Sequence, residues 1–474
     1  MALKRYRIDE FLGIDQSREE NGMHPGMSPD ACNMDTDNGA LSVAKGYVRH
    51  IQAPVPGAGT IHRLHVFAAP GGDRFIAAAG DSIYAYDGSA WQTVYTYSPA
   101  LSNPRFDFAQ AQINGTDYLL IGCGERQMVK YDGTSASLFG SAANVSDIHA
   151  LYLAMYRGRL FAAGDSEHPN RLYWSQLPGS DRSIEAWGPV EASPNVEGGH
   201  TEVGSMASDP IIGLKALSNQ LLIFKKHSVY RLLGEKPGNF IIEEVDSRTE
   251  RAAYTAVVKC GDALYYLTAG GLCLFNGVSA QVTGDARRIR TLLQQGDVSA
   301  SRGALCRDKL YFTLKLGQED AVIEYDLTRR VYMLRKGFAV ADLCARDGVV
   351  YLVDGARRVC RFQEGASYDG APVEAWWRTP RTDLADKGTV KGMRALYLRG
   401  KADEKDSATL VDVEIGGCAT AYRVLLPREE SDVLEVELQN EGRTFALRFY
   451  NEAGGGFALT SGVELEFETR RRTR

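Results

Sequence analysis

Two β-type stretches about ten residues apart, the second closing in a tight turn, return seven times along the middle of this 474-residue chain. The clear second stretches are Ile83-Tyr84-Ala85-Tyr86-Asp87-Gly88, Met128-Val129-Lys130-Tyr131-Asp132-Gly133, Leu272-Cys273-Leu274-Phe275-Asn276-Gly277 and Val322-Ile323-Glu324-Tyr325-Asp326. Looser copies are Arg171-Leu172-Tyr173-Trp174, Ser228-Val229-Tyr230-Arg231 and Val359-Cys360-Arg361-Phe362. The steps between copies run from 37 residues (Tyr325 to Phe362) to 57 (Trp174 to Arg231). Polar turns such as Asn114-Gly115, Arg157-Gly158 and Asp347-Gly348 precede most of the first stretches. Turn, strand, loop, strand, turn at a spacing near 40–50 residues is the meander of a β-propeller blade. Seven blades are counted. Six is the alternative, because the last unit is short and could share strands with the first.

The chain is too long for one core, and the pattern divides it into three parts. Residues 1–55 are turn-rich and polar through Asn21-Gly22-Met23-His24-Pro25-Gly26, with no strand or helix period, and read as an extended N-terminal arm. Residues 56–368 carry the propeller repeat. Residues 369–474 hold about seven strands, several of which alternate strictly between apolar and charged residues, as in Leu434-Glu435-Val436-Glu437-Leu438. That alternation predicts a β-sandwich with one face of each sheet in water, ending in a basic tail. Two segments break the rhythm. Residues 176–209 form a long loop of the kind that is functional or mobile. Residues 284–297 are the best helix candidate, with Ile289, Leu292 and Leu293 at helical spacing.

Chemistry-bearing motifs are scarce. A formal charge of −6 argues against a nucleic-acid-binding surface spread over the whole protein. No stretch reaches the roughly 18–20 apolar residues that span a bilayer, so no membrane segment is expected. The eight cysteines are scattered and read as free thiols in a reducing cytoplasm. Asn33 to Gly39 resembles a calcium loop, but the positions that need Gly and Glu hold Asn38 and Ala44, so it reads as an Asx-stabilised turn. His62 and His65 sit three apart in an extended segment and would face opposite sides, which disfavours a metal site. A propeller sialidase would need three converging arginines, a tyrosine nucleophile and an acid. Trp376-Trp377 is expected to enter a sandwich core. No catalytic, cofactor or metal residues are assigned, and the chain is read as not an enzyme.

Three regions carry a resemblance. They are Phe11-Leu12-Gly13-Ile14-Asp15, Pro25-Gly26-Met27-Ser28-Pro29-Asp30-Ala31-Cys32-Asn33-Met34-Asp35 and Gly39-Ala40-Leu41-Ser42-Val43-Ala44-Lys45-Gly46-Tyr47. Trp377-Arg378-Thr379, Lys391-Gly392-Met393-Arg394 and Gly442-Arg443-Thr444-Phe445-Ala446-Leu447 add to them. Together they resemble phage tail and neck structural proteins, in particular the tail nozzle or packaged-DNA stabilisation proteins of short-tailed phages. The resemblance implies a virion protein made in the bacterial host cytoplasm and placed in the tail. There it would form a ring, hexameric in the short-tailed family, next to portal, adaptor or other tail proteins. DNA would pass it without sequence specificity during ejection. Phe11, Leu12 and Ile14 of the arm and Arg470, Arg471 and Arg472 of the tail are the expected assembly contacts. Two other classes remain: a glycan-binding or glycan-cleaving propeller used in host attachment, and a cellular propeller scaffold that binds peptides.

Overall fold

The repeat's turns are built by side chains that cap them. Asp87 accepts from the backbone N–H groups of Ser89 and Ala90, each at 2.8 Å, and Asp132 and Asn276 hold the corresponding turns in the same way. At the opposite hairpins both central residues adopt positive φ, as at Asn114 (51°) and Gly115 (83°) or Asp347 (50°) and Gly348 (75°). That is the two-residue turn whose twist matches its flanking strands. The computed structural model that shows these turns describes residues 3–140, 148–191, 193–204, 208–247, 256–384, 386–403, 408–415, 418–452 and 454–470.

The chain is all-β apart from short helical turns, and its middle folds into successive small antiparallel sheets. The first runs over Ile61–Ala69, Gly72–Ala79, Ser82–Tyr86 and Trp91–Thr96. The second begins at Asp107–Ile113, the third at Tyr152–Tyr156, the fourth at Ile211–Ala216 and the fifth at Val258–Cys260. The sixth is built on Gly303–Cys306, Lys309–Leu316, Glu319–Asp326 and Val331–Lys336, and the seventh begins at Leu343–Arg346. Tyr152–Tyr156 touches both Asp107–Ile113 and Ile211–Ala216, Gly303–Cys306 touches both Val258–Cys260 and Leu343–Arg346, and Leu343–Arg346 returns to Ile61–Ala69. Separate apolar cores fill the spaces between neighbouring sheets, Phe67 and Ile121 between the first two and Tyr84 and Val353 between the last and the first. Meander sheets packed face to face around a ring make a β-propeller.

The N-terminal segment is not an extended arm. Leu3–Ile8 pairs with Val463–Arg470, Asp30–Cys32 with Trp376–Arg378, and Leu41–Val43 with Phe457–Leu459. Tyr47–Arg49, placed before the propeller by the sequence boundary, pairs with Val359–Phe362 and completes the seventh sheet. The segment's apolar residues are spaced irregularly between turns, so no strand or helix period shows, yet Ile8, Phe11, Ile14, Met34 and Leu41 are buried in the core shared with the C-terminal sheets.

Beyond the ring lie two five-stranded antiparallel sheets. One runs Leu3–Ile8, Val463–Arg470, Val390–Leu398, Leu434–Glu437, with Glu441–Gly442 beside Val390–Leu398. The other runs Asp30–Cys32, Trp376–Arg378, Phe445–Asn451, Ala408–Ile415, Cys418–Leu425. Their inner faces share one core: Leu465 and Phe467 from the first, Trp377, Phe449 and Val413 from the second. Tyr6 meets Phe445 edge-on across it, ring centroids 5.6 Å apart. The same core continues into Leu310, Phe312 and Tyr332 of the sixth propeller sheet, so ring and C-terminal unit are fused.

The long 176–209 segment is packed down by a buried cation. The Arg159 guanidinium donates to the carbonyls of Ser175 (2.6 Å), Glu197 (2.7 Å) and Asn195 (2.7 Å), and the segment buries its own Trp187 against Phe139. The expected helix is present as Ala286–Ile289 and Arg290–Gln295, with Ile289, Leu292 and Leu293 inward.

Candidate functional site

First strands of propeller sheets stand around the axis, so polar residues on them converge there. Arg63 from the first sheet, Asp107 from the second, Tyr152 from the third and Lys215 from the fourth act on one another electrostatically with Arg302 and Asp342, which lead into the sixth and seventh. Groups from six positions around a ring can meet only at its centre. Arg63 lies 3.9 Å from Asp107 and 3.8 Å from Asp342, wider than hydrogen bonds, and its Nε is buried without a hydrogen-bond partner. Asp342 is held by the backbone N–H groups of Leu64 at 2.7 Å and Leu343 at 2.9 Å. Three cations against two carboxylates leave the cluster mildly basic on an acidic protein.

Burial shifts its ionisable groups toward their uncharged forms. Burial raises the Tyr152 hydroxyl and lowers the Lys215 ammonium. Burial, then Arg63, Lys215 and Arg346, pushes the His65 imidazole down to about 4. His65 stacks on Phe108 with ring centroids 5.4 Å apart, while His62 lies against Phe106. The arrangement pairs charges from several sheets across the axis. One outcome follows from linkage. Between about pH 6.5 and about 4 the unfolded chain binds a proton at His65 that the folded chain does not, so stability falls as pH falls through that window. Replacing His65 by Gln should flatten that part of a stability-versus-pH curve measured by urea unfolding; an unchanged slope would count against it.

A second concave region lies between residues 17–22 and the fifth and sixth sheets. This cleft of about 1160 Å³ is lined by Arg18, Arg287, Arg288 and Arg330 together with Tyr265, Tyr325 and Asp285. Arginines, tyrosines and an acid therefore do converge, on the flank of the ring and not at its axis. Tyr325 donates to Asp285 at 2.7 Å. Burial and that bond to a carboxylate raise the Tyr325 hydroxyl, the opposite of what a tyrosine nucleophile requires.

The expected assembly residues are scattered. Phe11 is fully buried, edge-on to Trp377 (5.7 Å) and Phe449 (6.1 Å), and Ile14 is buried too. Neither presents a surface to another subunit in the folded chain. Leu12 is half-buried, with its N–H on the Gly26 carbonyl at 2.7 Å. Arg470 ends the strand Val463–Arg470, and Arg471 and Arg472 lie outside the described residues. Asn33, read as part of a turn, instead bridges two units: its side chain donates to Lys336 O at 2.9 Å and Glu374 O at 2.7 Å. Trp377 enters the core as expected, while Trp376 stays at the rim under the Arg448 guanidinium. Among the described residues no group of three or more metal-ligating side chains is present, and no helix is long and apolar enough to cross a membrane.

No protein-family model matches the chain, and no curated protein matches it in sequence. Among solved structures it is similar to BBS1N in complex with ARL6DN, at 10% identity over 68% of this chain and 98% of that one, with a TM-score of 0.42. It is also similar to the extracellular domain of the one-component system BT4673 from B. thetaiotaomicron (9% identity, 93% and 69% covered, TM-score 0.44). A third is the Neurospora crassa Pan2 WD40 domain (11% identity, 68% and 94% covered, TM-score 0.42). At such scores none of these bears on what this chain does.

Proposed function

We propose that this chain is a non-enzymatic structural protein of a phage tail, a ring subunit of the nozzle, adaptor or neck. In this reading the propeller has seven blades, closed by Tyr47–Arg49, and the C-terminal unit is a β-sandwich. The observation that carries it is where the motif residues of the first 47 positions lie. Phe11, Ile14, Ser28 and Asn33 join ring to C-terminal unit, with the Ser28 hydroxyl donating to Arg378 O at 2.7 Å and Asn33 spanning Lys336 and Glu374. Residues spent on fusing two units into one rigid body suit a part that bears force while DNA passes, and they leave no chemistry to explain.

The test is antibody labelling of purified phage particles combined with light scattering and negative-stain imaging of the purified chain. Label at the tail and a ring-shaped oligomer are expected. A second reading, an acidic-glycan-binding propeller used in host attachment, is favoured by the arginine-lined cleft alone. A chain absent from particles that binds sialylated or uronic-acid polysaccharide, with loss of binding in Arg287→Ala/Arg330→Ala, would replace the first reading by the second.

A further inference from the structure

The sheet that begins with Leu3–Ile8 has two free edges of opposite charge. Its order is Leu3–Ile8, Val463–Arg470, Val390–Leu398, Leu434–Glu437, and each neighbouring pair is antiparallel. Among the described residues neither outer strand has a ladder partner on its far side. One outer strand, Leu-Lys-Arg-Tyr-Arg-Ile, presents Arg5 and Arg7 on the solvent face, their side chains 54% and 61% exposed. The other, Leu-Glu-Val-Glu, presents Glu435 and Glu437 on that face while Leu434 and Val436 pack toward the core.

Between the edges the signs alternate. Arg5 pairs with Glu464 at 2.8 Å, Arg7 pairs with Glu464, and Arg394 pairs with Glu468, next to the acidic edge. The sheet thus reads basic, acidic, basic, acidic from strand to strand, and a further basic strand is what would come next.

We propose that copies of this chain join head to tail through this sheet, the Leu3–Ile8 edge of one adding to the Leu434–Glu437 edge of the next. This deepens the ring reading given above and rests on it. Direction permits the joint. A path of four antiparallel strands has outer strands that run oppositely, so a repeated copy continues the sheet antiparallel without turning over. Faces permit it as well. With Arg5 opposite Glu437 and Arg7 opposite Glu435, Tyr6 falls opposite Val436 on the core side, and both faces match. Charge excludes the competing contacts: like edges repel, which blocks a two-fold dimer through either one and leaves the heterologous joint that generates rings. Leu3 and Val433, 59% and 54% exposed, put an apolar residue at each edge. The joint weakens with salt, because its specificity is electrostatic.

Light scattering of the full chain over a range of concentration and salt tests it. Arg5→Glu/Arg7→Glu and, separately, Glu435→Lys/Glu437→Lys should each raise the concentration needed for assembly by roughly 30-fold or more, from two cross-strand pairs turned from attraction to repulsion. The two variants mixed, or all four changes in one chain, should restore it. The Glu435/Glu437 variant guards against misfolding at the first strand, since the contact it disturbs is the Tyr397 hydroxyl donating to Glu435 at 3.4 Å. Wild-type assembly that both variants retain overturns the edge joint and leaves the ring intact. A wild-type chain that stays single at every concentration overturns joint and ring together, while tail labelling still reports separately on the phage reading.

Discussion

Replacing Arg335 by Ala is expected to remove about 3–5 kcal/mol of folding stability, read as a lowered urea midpoint. Arg335 is fully buried; its guanidinium ties two parts of the molecule together, and its partner Glu324 carries the link to a third. Within the sixth sheet Nη2 reaches Glu324 Oε2 at 2.8 Å and Nε reaches it at 3.2 Å. Toward the N-terminal segment Nη1 donates to Met34 O at 2.8 Å and Nη2 pairs with Asp35. Glu324 in turn receives Lys309 at 2.7 Å and Gln363 of the seventh sheet at 2.6 Å. Burying this many charges contributes little net stability by itself, because desolvation offsets the attraction. Removing one partner is costly, since it strands the other out of water.

The pH dependence has a definite sign. Burial alone would raise the Glu324 carboxyl, but Arg335 and Lys309 outweigh it and hold it below the usual range. A depressed carboxyl contributes stability above its unfolded value, near about 4.3, and loses it as pH falls through the folded one. Glu324→Gln should therefore lose stability at neutral pH and show a shallower acid limb than the wild type. Glu324→Gln combined with Arg335→Met should be less damaging than the sum of the two, as coupled sites require. An Arg335→Ala protein within about 1 kcal/mol of wild type would sink this account.

The sequence made the second and third strands of each propeller sheet legible and the outer two obscure. Ile83–Tyr86 and Lys309–Phe312 are apolar on both sides because sheets pack on both faces of them. The first strands carry Arg63, Asp107 and Lys215, whose charges meet at the axis and interrupt the apolar run. Fourth strands such as Ala280–Val282 are exposed and short. No local pattern brings Arg63 to Asp342, 279 positions further along the chain; only closing the ring does. The same reason hid the role of the first residues. Tyr47–Arg49 is a strand because Val359–Phe362 has one side left open, a fact written more than 300 residues away. The C-terminal strands were legible because each has one wet face, which keeps the two-residue period clear in Leu434–Glu437 and Val463–Arg470.

Deleting residues 1–50 is expected to prevent folding rather than merely to block assembly. The cut removes Leu3–Ile8, Asp30–Cys32, Leu41–Val43 and Tyr47–Arg49, so both large C-terminal sheets lose an edge and the seventh propeller sheet loses the strand beside Val359–Phe362. It also takes Phe11 out of a core where Trp377 and Phe449 close around it, and Asp35 and Met34 O away from buried Arg335. The single substitution Phe11→Ala isolates one part of this loss. Truncating a fully buried aromatic costs about 3–5 kcal/mol through lost transfer energy and the cavity left behind. The deleted chain should be recovered as aggregate, and the Phe11→Ala chain should be folded with a clearly lowered urea midpoint and faster proteolysis near its N-terminus. Glu435→Lys/Glu437→Lys, by contrast, changes exposed side chains that face Tyr397 and Ala395 on the neighbouring strand and should leave the midpoint within about 1 kcal/mol of wild type. That contrast separates folding from assembly. A deletion that stayed soluble with the wild-type midpoint would show the segment to be dispensable for the fold, and the contacts of Phe11 with Trp377 and Phe449 could then contribute little.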